Sequence, residues 1–84
     1  MSKKEKLIKK LKSKPKDFTY DELKTTLNYL EFFESNKGKT SGSAVEFKDK
    51  FGRKIVLHKP HPSNIIKLYK MDEIIDLLEE WRII

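Results

Sequence analysis

Apolar residues recur along this chain with two different periods, and each change of period marks an element. In "SKKEKLIKKLK", Leu7, Ile8 and Leu11 form one stripe among lysines, which predicts a short amphipathic helix that Pro15 stops. "DFTYDEL" reads as a helix start: Thr19 is the N-cap, Glu22 completes a capping box three residues later, and Phe18 staples onto Leu23. Leu23, Leu27 and Leu30 continue the stripe toward Phe33, so the helix is predicted from about Tyr20 to Leu30, with "FFES" as a short first strand. The period then falls to two. In "SAVEFKD", Val45 and Phe47 share one face and Ala44, Glu46 and Lys48 the other. In "RKIVLH", Ile55 and Leu57 point inward, while Lys54, Val56 and His58 point outward.

A three-residue loop, Lys50-Phe51-Gly52, joins these two runs, with glycine suited to its left-handed position. It pairs Asp49 with Arg53, Phe47 with Ile55, Val45 with Leu57 and Ala44 with His58. Both apolar sets then share a face, which a one-residue slip would destroy. After "KPHPSN", stiffened by Pro60 and Pro62, the helical period returns in "MDEIIDLLEEWRII". There Met71, Ile74, Ile75, Leu78 and Trp81 make the stripe, and Asp72 and Glu73 stand near the positive end of the helix dipole. Tyr20, Tyr29 and Tyr69 are assigned to helix–sheet packing. The expected fold is α+β: one domain over 1–84, a short Lys-rich N-terminal helix, then helices on one face of a three-stranded antiparallel sheet whose other face is open.

Charge sharpens this picture because of where it lies. Residues 1–16 hold eight lysines and one glutamate, and 36–61 hold seven basic residues against two acidic ones. Residues 17–35 and 62–84 are each net acidic, and the whole chain carries +6. Such a local field favours phosphate backbones; a lysine face kept for solubility is the plainer explanation. There is no cysteine, hence no disulfide framework and no thiolate zinc site, which suits a reducing compartment. Apolar runs such as Ile55-Val56-Leu57 are too short to span a bilayer, and no secretory apolar segment follows the first lysines. A cytoplasmic protein is expected.

The stretches "FTYDELKTTLNYL", "NKGKTSGSAVEF" and "IVLHKPHPSNIIKLYKMDEIIDLLEEW" together resemble the HicA family, the small toxin of a bacterial toxin–antitoxin pair. The pairing of the "GKTSGS" loop with "LHKPHP" is the more specific part. The resemblance implies a reduced double-stranded-RNA-binding-domain fold with an α-β-β-β-α core. It implies an endoribonuclease that cuts mRNA to arrest translation, and a HicB-type antitoxin that covers the RNA site. The family pattern reads Gly-Ser-His at the start of the second strand, with that histidine catalytic. Here the residues are Gly42, Ser43 and Ala44. A methyl group moves no proton.

Metal-independent RNA cleavage needs a base for the 2′-hydroxyl proton and an acid for the leaving 5′-oxygen, roles that suit histidine near neutral pH. The chain offers His58 and His61. In the register above, His58 faces position 44 across the ladder with Cβ atoms about 5 Å apart. His58 is therefore the leading candidate to replace the histidine missing at Ala44, against a solvated strand end. His61 is the weaker candidate, a partner acid or phosphate donor, against a turn residue between two prolines. Lys37, Lys39, Ser41, Ser43, Lys48, Lys54 and Lys59 are the RNA-binding candidates. Ser41 and Ser43, with the backbone N–H groups of Gly38 and Gly42, suit a small anion-binding loop or simply a flexible connection.

Phe51 either stacks on a splayed base or, the favoured expectation, folds back onto the sheet. Asp72, Glu73, Asp76, Glu79 and Glu80 read as a solvated acidic face rather than a metal or acid–base pair, and two histidines without cysteine make zinc improbable. No cofactor is expected. The main alternative function is a catalytically silent RNA-binding or antitoxin-binding module of the same fold. A weaker one is a DNA binder held by its lysine helix, though nothing resembles a major-groove recognition helix.

Overall fold

The computed structural model describes residues 2–35, 44–60 and 63–84. Its elements run α1 (Lys3–Lys12), α2 (Tyr20–Tyr29), β1 (Phe33–Ser35), β2 (Ala44–Lys48), β3 (Lys54–His58) and α3 (Leu68–Glu80). The strands form one antiparallel sheet in the order β1-β2-β3. Alternation decides its faces. Phe47, Ile55 and Leu57 are buried, and their neighbours Lys48, Lys54, Val56 and His58 are exposed. Against the buried face lies one core made by Phe18, Leu23 and Leu27 around α2, Phe32, and Met71, Ile74, Ile75 and Leu78 of α3. The fold is thus a small α+β domain with its helices packed on one side of the sheet.

Local chemistry starts and stops the helices. The Thr19 hydroxyl accepts from the Glu22 N–H at 3.1 Å while the Glu22 carboxylate accepts from the Thr19 N–H at 3.0 Å, so the capping box is closed. Thr26, the buried polar residue of α2, donates its hydroxyl proton to the Glu22 carbonyl at 2.7 Å. At the end of α2, Glu31 turns left-handed (φ 68°), the Phe32 N–H reaches the Leu27 carbonyl at 2.8 Å and the Glu31 N–H the Asn28 carbonyl at 3.0 Å, a Schellman stop. That turn shifts the phase of the apolar stripe by one residue. Phe32, not Phe33, enters the core; Phe33 is exposed on the open side of the sheet.

Helix α3 begins at Leu68, earlier than the expected Met71. The reason is a short bridge: the Tyr20 N–H bonds the Asn64 carbonyl and the Ile66 N–H bonds the Phe18 carbonyl, both at 2.8 Å. Pinned there with Ile66 buried, the chain turns into the helix at once. Asp72 and Glu73 consequently sit in the second turn, beyond the first-turn positions where the dipole favours acids most. Asp72 instead pairs with Lys14, just past the end of α1, and Lys10 pairs with Glu22, so α1 and the turn after it are tied to α2 and α3 around the buried Leu11. Of the three tyrosines, Tyr20 alone is buried, its ring 6.4 Å from that of Phe47; Tyr29 and Tyr69 are exposed, contrary to expectation.

No helix among the described residues is long and apolar enough to cross a membrane.

Candidate nucleic-acid interface

The hairpin register is the one the apolar pattern requires, with Ala44 opposite His58, Val45 opposite Leu57 and Phe47 opposite Ile55. Asp49 and Arg53 close the loop, with the Asp49 N–H on the Arg53 carbonyl at 3.1 Å and Gly52 at φ 83°. Because β1 pairs Phe33 with Lys48 and Ser35 with Glu46, the open face is ordered in rows across the strands. One row reads Phe33-Lys48-Lys54, the next Ser35-Glu46-Val56, and the last described pair is Ala44-His58.

The open face is less uniformly basic than the composition suggests. Lys54 approaches Glu46 at 4.0 Å, which takes up part of its charge. Lys48 lies directly across from Lys54, and that pair of like charges supplies the cationic end of the face. His58 is exposed at the other end. Lys59, one residue further, falls on the helix side, its ammonium 5.6 Å from the Tyr20 ring centroid. Burial first, and then the neighbouring Glu34 carboxylate, push the Tyr20 phenol up to about 12. It therefore stays protonated near neutrality and donates toward Glu34 at 3.5 Å, so it offers no base.

At the hairpin tip Phe51 does not fold back. It is 71 % exposed, with the Arg53 guanidinium 5.0 Å and the Lys50 ammonium 5.3 Å from its ring centroid. Trp81, partly buried against the core, stacks on Phe32 at 5.9 Å, and the Arg53 guanidinium lies 5.6 Å from its ring centroid.

Sequence reasoning missed a groove of about 840 Å³ between the end of β3 and the start of α3. His58 and Lys59 line one side, Lys67, Tyr69 and Lys70 the other, and Lys16 closes it. Among its described lining residues there is no carboxylate. Val56, Ile65 and Leu68 give it apolar walls. The "KLYK" run was visible in the sequence, but only the Phe18–Ile66 and Tyr20–Asn64 hydrogen bonds bring it beside Lys16.

Candidates Lys37, Lys39, Ser41, Ser43 and His61, with Gly38 and Gly42, lie outside the described residues. Among those described, no group of three or more His, Asp or Glu side chains is arranged to hold a metal ion. The sheet thus brings together Ala44 with His58 at one end of the open face and Lys48 with Lys54 at the other, with Lys59 turned to the groove. Comparison with protein-family models, with curated proteins and with solved structures finds no match to this chain.

Proposed function

We propose that this chain is a HicA-type toxin, a cytosolic endoribonuclease that cuts mRNA without a metal and is neutralised by a HicB-type antitoxin. The observation that carries the proposal is His58. It is exposed on the open sheet face, directly across the ladder from Ala44, and it borders a groove whose described lining has cations and no carboxylate. At position 44 the resemblance implies a catalytic histidine; His58 offers an imidazole one cross-strand step away.

In the reaction, the His58 imidazole takes the proton of an RNA 2′-hydroxyl as its oxygen attacks the adjacent phosphorus. The O2′–P bond forms, the P–O5′ bond breaks, and the leaving 5′-oxygen takes a proton from an imidazolium or from water. The products are a 2′,3′-cyclic phosphate and a 5′-hydroxyl. Lys59, which lines the same groove as His58, supplies positive charge toward the phosphate, while Lys54, at the far end of β3, is placed for a flanking phosphate. An acidic antitoxin surface fits the same cations and competes with RNA for them.

The test is incubation of the purified chain with labelled mRNA, with and without EDTA, beside His58→Ala and Ala44→His. Chelator-resistant cutting is expected, reduced by about 10²- to 10⁴-fold in His58→Ala, the usual contribution of a general acid–base group. The second reading, a catalytically silent RNA- or antitoxin-binding module, is favoured by the methyl group at Ala44. It predicts RNA binding without cutting, and cutting restored by Ala44→His.

A further inference from the structure

We infer that the groove between β3 and α3 is a single-strand RNA subsite, in which Lys16 and Lys67 hold phosphates and a base stacks on Tyr69. This rests on the RNA-binding function proposed above and extends it to a surface that the basic ribbon does not include.

Three observations carry the inference. First, four lysines converge on the groove, and among its described lining residues no carboxylate opposes them. Lys70 is drawn to Glu73 at 3.3 Å and Lys59 lies over Tyr20, but Lys16 and Lys67 have no salt-bridge partner among the described residues. Second, the groove has an aromatic wall of a kind that a solvated lysine patch lacks. Tyr69 is 68 % exposed, with Val56, Ile65 and Leu68 also open to solvent nearby. Exposed apolar surface of this kind suits an unstacked base; a duplex, with its bases hidden, has no use for it. Third, the groove is continuous with the catalytic candidate, because His58 belongs both to its lining and to the open sheet face. A strand laid along the groove passes His58 directly. An acidic peptide would use the same lysines but would gain less from a free tyrosine ring beside a histidine.

The experiment is fluorescence anisotropy with a labelled oligouridylate and with a duplex of the same length, on the full chain. Tyr69→Ala is expected to weaken oligouridylate binding about ten-fold, the usual loss of one stacked base, and to leave duplex binding unchanged. Tyr69→Phe keeps the ring and is expected to bind as the parent does. The double variant Lys16→Glu/Lys67→Glu is expected to flatten the salt dependence by about 1.4 units of log–log slope, since each of the two lost phosphate contacts removes roughly 0.7. Lys3→Glu/Lys4→Glu, with the same charge change on exposed positions of α1, is the control. These side chains are exposed, and a thermal melt verifies that each variant is folded.

Groove variants that bind oligouridylate no worse than the control overturn the subsite while leaving RNA binding by the chain intact. A parent chain that binds neither RNA overturns the subsite and the proposed function together. Polyglutamate that binds as tightly as oligouridylate, and is equally sensitive to the Lys16/Lys67 variant, overturns the subsite in favour of an acidic protein partner.

Discussion

Asp49 shows how much one side chain can organise. It is buried beneath the hairpin tip, where one carboxylate oxygen accepts from the N–H groups of Phe51 at 3.0 Å and Arg53 at 2.9 Å. The other accepts from the Arg53 Nε and Nη2, both at 2.6 Å. Burial alone would raise its pKa, but the Arg53 hydrogen bonds and charge, with the two backbone donors, outweigh it and hold the carboxyl below its ordinary 3.8. A depressed carboxylate contributes stability that is fully present above its unfolded value and lost as pH falls through the folded one. The melting temperature is therefore expected to fall as acid takes the pH below 3.8, and Asp49→Asn is expected to melt lower at neutral pH with that part of the acid dependence removed. Thermal melts of both proteins across that range check it. An unchanged acid limb in Asp49→Asn would assign the dependence to other carboxylates. The Asp49–Arg53 pairing and the turn glycine were legible in the sequence, because hairpin loops obey local rules. The Arg53 guanidinium over Trp81 was not, because it joins residues 28 positions apart through the core.

The elements are written most plainly at their starts and least plainly at their ends. The capping box of α2 follows from side chains three residues apart, so Thr19 and Glu22 announce it. Its end gives no such notice, since the left-handed residue is Glu31 rather than glycine. Lys14 and Arg82 likewise have positive φ after α1 and α3, and the Ile83 N–H closes the last turn of α3 on Leu78 at 2.8 Å. Each left-handed non-glycine residue is strained by its Cβ. Glu31→Gly is accordingly expected to stabilise the domain by about 0.5–1 kcal/mol, the relief of that strain less the entropy of glycine in the unfolded chain. A denaturation midpoint that moves down instead would mean that the Glu31 side chain supports the turn. The same stop explains the misassigned aromatic: reading straight along the stripe leads to Phe33, and only the Schellman turn hands the core position to Phe32.

At the scale of the whole molecule, the N-terminal helix poses a choice between charge and burial. Lys10 pairs with Glu22, and Lys14, just after the helix, pairs with Asp72, yet both contacts are open to solvent, where screening leaves such pairs little weight. Leu11 is fully buried among α1, α2 and α3. Burial wins: Leu11→Ala is expected to cost about 2–5 kcal/mol in chemical denaturation, while raised salt, which screens the ion pairs, shifts the midpoint little. The reverse pattern would mean that α1 is held electrostatically. Of the candidate site, the sheet half could be read in advance, since alternation assigns His58 and Ala44 to one face. The groove half could not, since Lys16 and Tyr69 meet only after the chain has closed on itself.

The sequence alone determined the hairpin register, the capped start of α2, the inward faces of β2, β3 and α3, and the concentration of positive charge in two segments. All of these depend on interactions between residues a few positions apart, or on a repeat that can be counted. The tertiary structure decided that Phe32 replaces Phe33, that Phe51 stays exposed, that α3 begins at Leu68, and that Lys16, Lys67 and Tyr69 line one groove with His58. Those outcomes turn on which distant segments compete for the same space, and on the bridge from Phe18 and Tyr20 to Asn64 and Ile66. No local period encodes that competition, because it is settled only when the core is packed.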